Sequence, residues 1–195
     1  MILSTIGILA AVTLNQPAPA LAANLKEALT DERYAQAYYR AGIKAWDVTR
    51  PLVNLERAEG NHIDAVSGLM KKYKVRIEPN PFDRKPKEDA ATYLNRLGVP
   101  PTKEEGFAKA IKLEKAQGPL YDKLSVGMPD DVKQVFARLK EVSVTRHLPA
   151  LERALNGGGS GQGNGFGRGN GQGQGNGRGP GRGQGLGLGR GNPPR

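Results

Sequence analysis

The chain has 195 residues, 29 Lys and Arg against 19 Asp and Glu, a formal net charge of +10 and no cysteine. That length holds one domain with appendages, and the missing thiols exclude a disulfide framework, a thiolate metal site and a cysteine nucleophile. Five of the ten net positive charges are Arg168, Arg178, Arg182, Arg190 and Arg195, all in an acid-free C-terminal segment, so the remainder is only mildly basic.

In chain order, residues 1–23 read as a signal peptide. They carry no charge, Ile2 to Leu14 form an apolar run too short to span a bilayer comfortably, and Ala20 and Ala22 supply the Ala-x-Ala pattern of a cleavage site. The expectation is a periplasmic or secreted protein whose mature form begins near Ala23. No Lys or Arg precedes the run, which leaves a retained membrane anchor or a misplaced start codon as alternatives.

Residues 24–156 show helical periodicity. Leu25, Leu29, Glu32, Gln36, Tyr39, Ile43 and Trp46 recur at steps of four and three, one face of a first helix. Thr49 and Pro51 then suggest a cap and a first-turn proline for a second, whose stripe is Leu52, Leu55, Glu59, His62, Val66, Leu69 and Tyr73. The short connection predicts that the two lie antiparallel. Prolines 79, 81, 86, 100 and 101 make Lys74 to Pro101 a long crossover, with room for a short helix from Glu88 to Leu97 ended by Gly98. Thr102 and Glu105 form a capping box for a third long helix bearing Phe107, Ile111, Glu114, Gly118 and Tyr121. A fourth is expected from Asp130 or Asp131 through Val132, Val135, Phe136, Leu139, Val142, His147 and Leu151 to Leu155, before Asn156-Gly157. Two helical pairs joined by a long crossover between helices 2 and 3 predict an all-α, ferritin-like four-helix bundle.

The chemistry sits on those stripes. Glu32, Glu59 and Glu114 each occupy a core position flanked by apolar residues, where an unpaired carboxylate is costly. Three converging carboxylates repel one another, and a shared cation resolves the conflict most simply. Glu59 and His62, three apart, place an oxygen and a nitrogen on adjacent turns of one face. Oxygen and imidazole donors suit iron, with manganese or zinc as alternatives. The order of single Glu, Glu-x-x-His, single Glu and a second His-bearing helix is the layout of di-iron carboxylate bundles, so the metal ligands expected are Glu32, Glu59, His62, Glu114 and His147.

The segment Glu59-Gly60-Asn61-His62-Ile63-Asp64-Ala65-Val66, with Leu69 and Tyr73, and the segment Thr145-Arg146-His147-Leu148-Pro149-Ala150-Leu151 resemble the ferritin-like domain-of-unknown-function family twenty-two-oh-two. The resemblance covers roughly Leu29 to Leu155, and tails rich in Gly, Gln and Arg accompany exported members of that kind. A tyrosine follows each single glutamate by seven residues, Tyr39 after Glu32 and Tyr121 after Glu114, as in ferritins; the expected role is a core hydroxyl bonded to a neighbouring Glu. The sequence departs from the pattern at Val144, where a second Glu-x-x-His would carry its glutamate. Three carboxylates and two imidazoles favour one tightly held ion, or one tight and one weak, and Val144 weighs against oxygen-activating chemistry.

Residues 157–195 alternate Gly with Gln, Asn and Arg, a composition expected to stay disordered. Sparse arginines and almost no aromatics argue against nucleic-acid binding, and anionic cell-surface polymers are the expected partner of the tail. No phosphate loop and no Ser-His-Asp ordering is present, and homo-oligomerisation is left open. Two functions follow: an exported ferritin-like metal-binding protein with metal-dependent oxidation or peroxide chemistry, or a degenerate bundle without metal that interacts through its basic tail.

Overall fold

The computed structural model describes residues 18–157; the apolar run of the expected signal and all but the first residue of the Gly-rich tail lie outside the described residues. Within them the chain is all-helical, without a strand, and no helix is long and apolar enough to cross a membrane.

Helix α1 spans Pro19–Ala45, beginning ahead of the expected Asn24 with proline in its first turn. Leu21 is already buried with Leu25, Ala28 and Leu29, so cleavage near Ala23 would remove a side chain from this packing. Trp46 ends the helix, its N–H bonding the Gly42 carbonyl at 3.0 Å, and Asp47 turns the chain at φ 48°. Helix α2, Leu52–Lys72, then runs back along α1, since Arg40 meets Glu56 while the earlier Glu32 meets the later His62. Thr49 contributes its carbonyl, bonded by the Val53 N–H at 2.8 Å, and the expected side-chain cap is not formed.

The crossover is tied down by polar bonds. The Arg96 guanidinium forks onto Glu88, with Nε at 2.8 Å from Oε1 and Nη2 at 2.9 Å from Oε2, and also bonds the Pro81 and Asp83 carbonyls. Helix α3, Ala90–Leu97, is capped by Asp89, whose carboxylate accepts from the Thr92 N–H, and stops at Gly98 in the left-handed conformation that glycine adopts without a Cβ penalty. Thr102 opens helix α4, Lys103–Ser125, accepting the Glu105 N–H and donating its hydroxyl to the Glu105 carboxylate. The helix runs through Pro119. Gly106 lets the Trp46 ring lie against α4, where a Cβ would come within 2.1 Å of the ring; the indole N–H reaches the Pro100 carbonyl and Tyr38 Oη bonds that of Gly106.

The expected fourth helix is interrupted without being broken. Helix α5, Asp130–Val142, passes into a π-helical turn, Ser143–His147, and resumes as α6, Leu148–Leu155. In that turn the Leu148 N–H bonds the Ser143 carbonyl five residues back, and one extra residue is accommodated. Helix α4 packs on α5, the π turn and α6, while α1 also touches α4 and α2 touches α5.

Two apolar clusters fill the interior. One joins Leu25, Leu29, Val66, Met70, Leu124, Val132 and Phe136; the other joins Tyr38, Leu52, Leu55, Leu97, Phe107, Ile111 and Leu151. Between their positions on the long helices come the buried polar residues Glu32, Glu59, His62, Glu114, Gln117, Ser143 and His147.

Candidate metal centre

All five residues expected to bind metal are buried, and the structure brings them together. Glu32 comes from α1, Glu59 and His62 from α2, Glu114 from α4, and His147 from the last position of the π turn. They form two sets that share Glu59: Glu32, Glu59 and His62 in one, and Glu59, Glu114 and His147 in the other, with donor atoms in each set within 4.8 Å of one another.

The two oxygens of Glu59 divide between the sets. Oε2 lies 2.8 Å from His62 Nδ1, which also approaches Glu32 Oε2 at 3.1 Å. Oε1 lies 3.1 Å from His147 Nδ1, which is 3.4 Å from Glu114 Oε1. The imidazoles stack with centroids 5.5 Å apart and planes at 22°. Tyr121 Oη donates to Glu32 Oε1, and Tyr39 Oη donates to Glu114 Oε1, so each tyrosine serves the glutamate on the other helix. The spacing of seven thus produces a reciprocal pair of buried hydroxyl bonds that orient two carboxylates.

Three atoms in the second set have no hydrogen-bond partner: Glu59 Oε1, Glu114 Oε2 and His147 Nδ1. Glu59 Oε1 and His147 Nδ1 are close enough to bond but not aligned to do so. Orphaned buried polar atoms are rare and costly. With the His147 imidazole neutral, these atoms offer converging lone pairs, the donor arrangement a cation needs, so the residues fit one.

Burial and the mutual charges of the cluster move its groups in opposite directions. Burial raises the Glu32 carboxyl well above its ordinary range despite the opposing bond from His62. Burial acts the same way on Glu59, but contacts with His147 and His62 overcome it and hold that carboxyl down at about 2. Burial alone would lower both histidines; Glu32 and Glu59 instead raise His62 to about 10, and Glu114 and Glu59 raise His147 to about 9. Both tyrosine hydroxyls are pushed well up by burial and the adjacent carboxylates, so they stay protonated and donate.

The structure adds residues that the sequence analysis missed and corrects one. Ser143, fully buried, donates from Oγ to Gln117 Oε1, and Gln117 Nε2 donates to Asp31 Oδ2 at 3.2 Å. Burial holds the Asp31 carboxyl up at about 6, against the lowering effect of the Gln117 bond. Val144, read as standing in the second glutamate position, is 45 % exposed. A Glu-x-x-His pair shares a face only at regular α-helical spacing, and the π turn moves the inward face to Ser143, four residues before His147. Gln117, three residues after Glu114, was legible as a same-face polar residue.

No protein-family model and no curated protein matches the chain. Among solved structures, it resembles the crystal structure of a hypothetical protein from Methanococcus jannaschii DSM 2661, at 20% identity, 72% of this chain, 82% of that chain and a TM-score of 0.58. A likeness at that identity extends to the fold, which is all-helical and compatible with a ferritin-like arrangement. The buried Glu and His cluster could bind metal.

Proposed function

We propose that the chain is a ferritin-like four-helix bundle, built from α1, α2, α4 and the α5–α6 unit, that holds two metal ions with Glu59 shared between them. The observation that carries this reading is the division of the Glu59 oxygens between two Glu/His sets. Of the expected alternatives, one ion or one tight and one weak, it favours two ions, because both sets contain two carboxylates and an imidazole. The oxygen and nitrogen donors favour iron, with manganese or zinc as substitutes.

Bound there, iron would supply oxidation or peroxide chemistry. The protein's own part is plain from the residues: Tyr39 and Tyr121 orient Glu114 and Glu32, and apolar clusters before and after the site along the helices limit water. The reading extends to an exported protein whose tail meets anionic surfaces. Salt-sensitive adhesion that persists after truncation at Asn156 would remove the tail from that proposal.

Anaerobic titration of metal-free protein with ferrous and manganous ions tests the metal reading, with two ions per chain expected. Failure to bind either ion at micromolar concentration would overturn it. The rival reading is a metal-free interaction protein, in which His62 Nδ1, 2.8 Å from Glu59 and 3.1 Å from Glu32, and His147 Nδ1, 3.1 Å from Glu59, neutralise the carboxylates as cations. In that case added metal leaves the melting temperature unchanged.

A further inference from the structure

A cleft of about 380 Å³ opens between α2 and α5, and His62 lies in its wall. Its apolar lining includes Val135, Leu139 and Val142. Its charged residues are Arg138 and Arg146, both exposed, and no acid lines it. Neither guanidinium has an ion-pair or hydrogen-bond partner among the described residues, unlike Arg40 and Arg96. Two unengaged guanidiniums at the mouth of a cleft repel a divalent cation and attract an anion, and each presents a fork matched to a carboxylate.

Charge balance at the centre points the same way. Counting the ligands alone, two divalent ions against the carboxylates of Glu32, Glu59 and Glu114 leave one positive charge in excess, and Asp31, held by Gln117, offsets it only from outside the ligand set. Ser143, a neutral residue, occupies the inward position where a fourth carboxylate would restore balance. A monoanion arriving past His62 supplies the missing charge.

We propose that the cleft between α2 and α5 is the binding site and entrance for a small monocarboxylate with a short apolar body, which makes metal the resident partner and the organic anion the incoming ligand. The carboxylate is recognised by Arg138 and Arg146, and the body rests on Val135, Leu139 and Val142. The charge-balance argument rests on the two-ion reading above, whereas the cleft and its arginines stand without it.

The test is calorimetric titration of the full chain, metal-free and manganese-loaded, with butyrate as probe and butylammonium as the cationic control, while the His62 imidazole is followed by NMR. Butyrate is expected to saturate one site, to shift the His62 signal and to bind more tightly when manganese is present; butylammonium is expected not to bind. The double variant R138A/R146A should weaken butyrate by about tenfold or more, as loss of a charge-assisted fork implies. R138K/R146K should recover only part of that loss, and K71A/K112A, which removes two exposed cations elsewhere, should bind as the parent does. Absence of butyrate binding, or equal affinity in the parent and R138A/R146A, would overturn the proposal. So would an equal loss in K71A/K112A. If manganese fails to bind while arginine-dependent butyrate binding persists, the two-ion reading falls and the entrance stands. If two ions bind and butyrate is indifferent to the arginines, the reverse holds.

Discussion

Helix α2 and the α5–α6 unit each deliver a histidine to the same cluster, but by different local geometry. In α2 the pair Glu59 and His62 sits three apart on a regular helix, and both side chains point inward because that spacing places them on one face. In the α5–α6 unit His147 ends a π turn, its inward neighbour is Ser143 four residues back, and the residue three back, Val144, faces solvent. The same chemical task is therefore met once by helical periodicity and once by a departure from it. The difference is that the α5–α6 unit brings a serine inward where α2 brings a carboxylate, and the orphaned atoms gather in the His147 set.

The largest effect is expected on removing the residue that both sets use. Glu59→Ala should abolish binding of both ions, and in the metal-free protein it leaves two raised histidines without their common partner. The expected loss is about 3–5 kcal/mol, the range for breaking a buried ionic network by deleting one member. A variant that melts like the parent and still takes up metal would show that Glu59 is not shared. Glu32→Ala and Glu114→Ala should each remove one ion and spare the other, as counted by elemental analysis.

The pH dependence tests both histidines together. His62 and His147 have folded-state values raised to about 10 and about 9 from an ordinary 6.5. Their contribution to metal-free stability is complete below 6.5 and is lost as pH rises through those folded values. A divalent ion requires neutral imidazoles, so binding releases protons and tightens over the same rise. Melting temperature of the metal-free protein should fall across that window while the increment from added manganese grows. A constant increment would argue against imidazole ligation.

A smaller effect sharpens the symmetry of the two sets. Tyr39→Phe and Tyr121→Phe each delete one hydroxyl bond to a buried carboxyl group, with an expected cost of about 1.5–3 kcal/mol by chemical denaturation. Near-equal losses are expected because the bonds are reciprocal; a large inequality would mean that Glu32 and Glu114 are held by different means.

The finest distinction lies between two adjacent positions. Ser143→Asp places a carboxylate on the inward face and should tighten the ion at the Glu114 and His147 set roughly tenfold, about 1.4 kcal/mol. Val144→Glu, which a regular helix would make the stronger change, should alter stability by less than about 0.5 kcal/mol and leave metal binding unaffected, as for a surface substitution. Isothermal titration of both variants decides it, and the opposite ranking would return the missing ligand to Val144.

Local sequence pattern was enough for the helical class and the inward face of α1, α2 and α4, because apolar residues at steps of three and four cannot be satisfied by a strand. It also singled out the five Glu and His residues that are buried together, since carboxylates and imidazoles on an apolar stripe are conspicuous against the cost of burying them. The caps at Thr102 and Gly98 were legible for a similar reason: their bonds involve residues within one turn. Tertiary structure alone decided that Glu59 divides its oxygens between two sets, that Tyr39 and Tyr121 cross to each other's glutamates, and that Arg138 and Arg146 overlook a cleft beside His62. These depend on distances between helices far apart in the chain. The π turn belongs with them: its extra residue shifts the phase of every later side chain, and a repeat of 3.6 residues carries no mark of where such a shift falls.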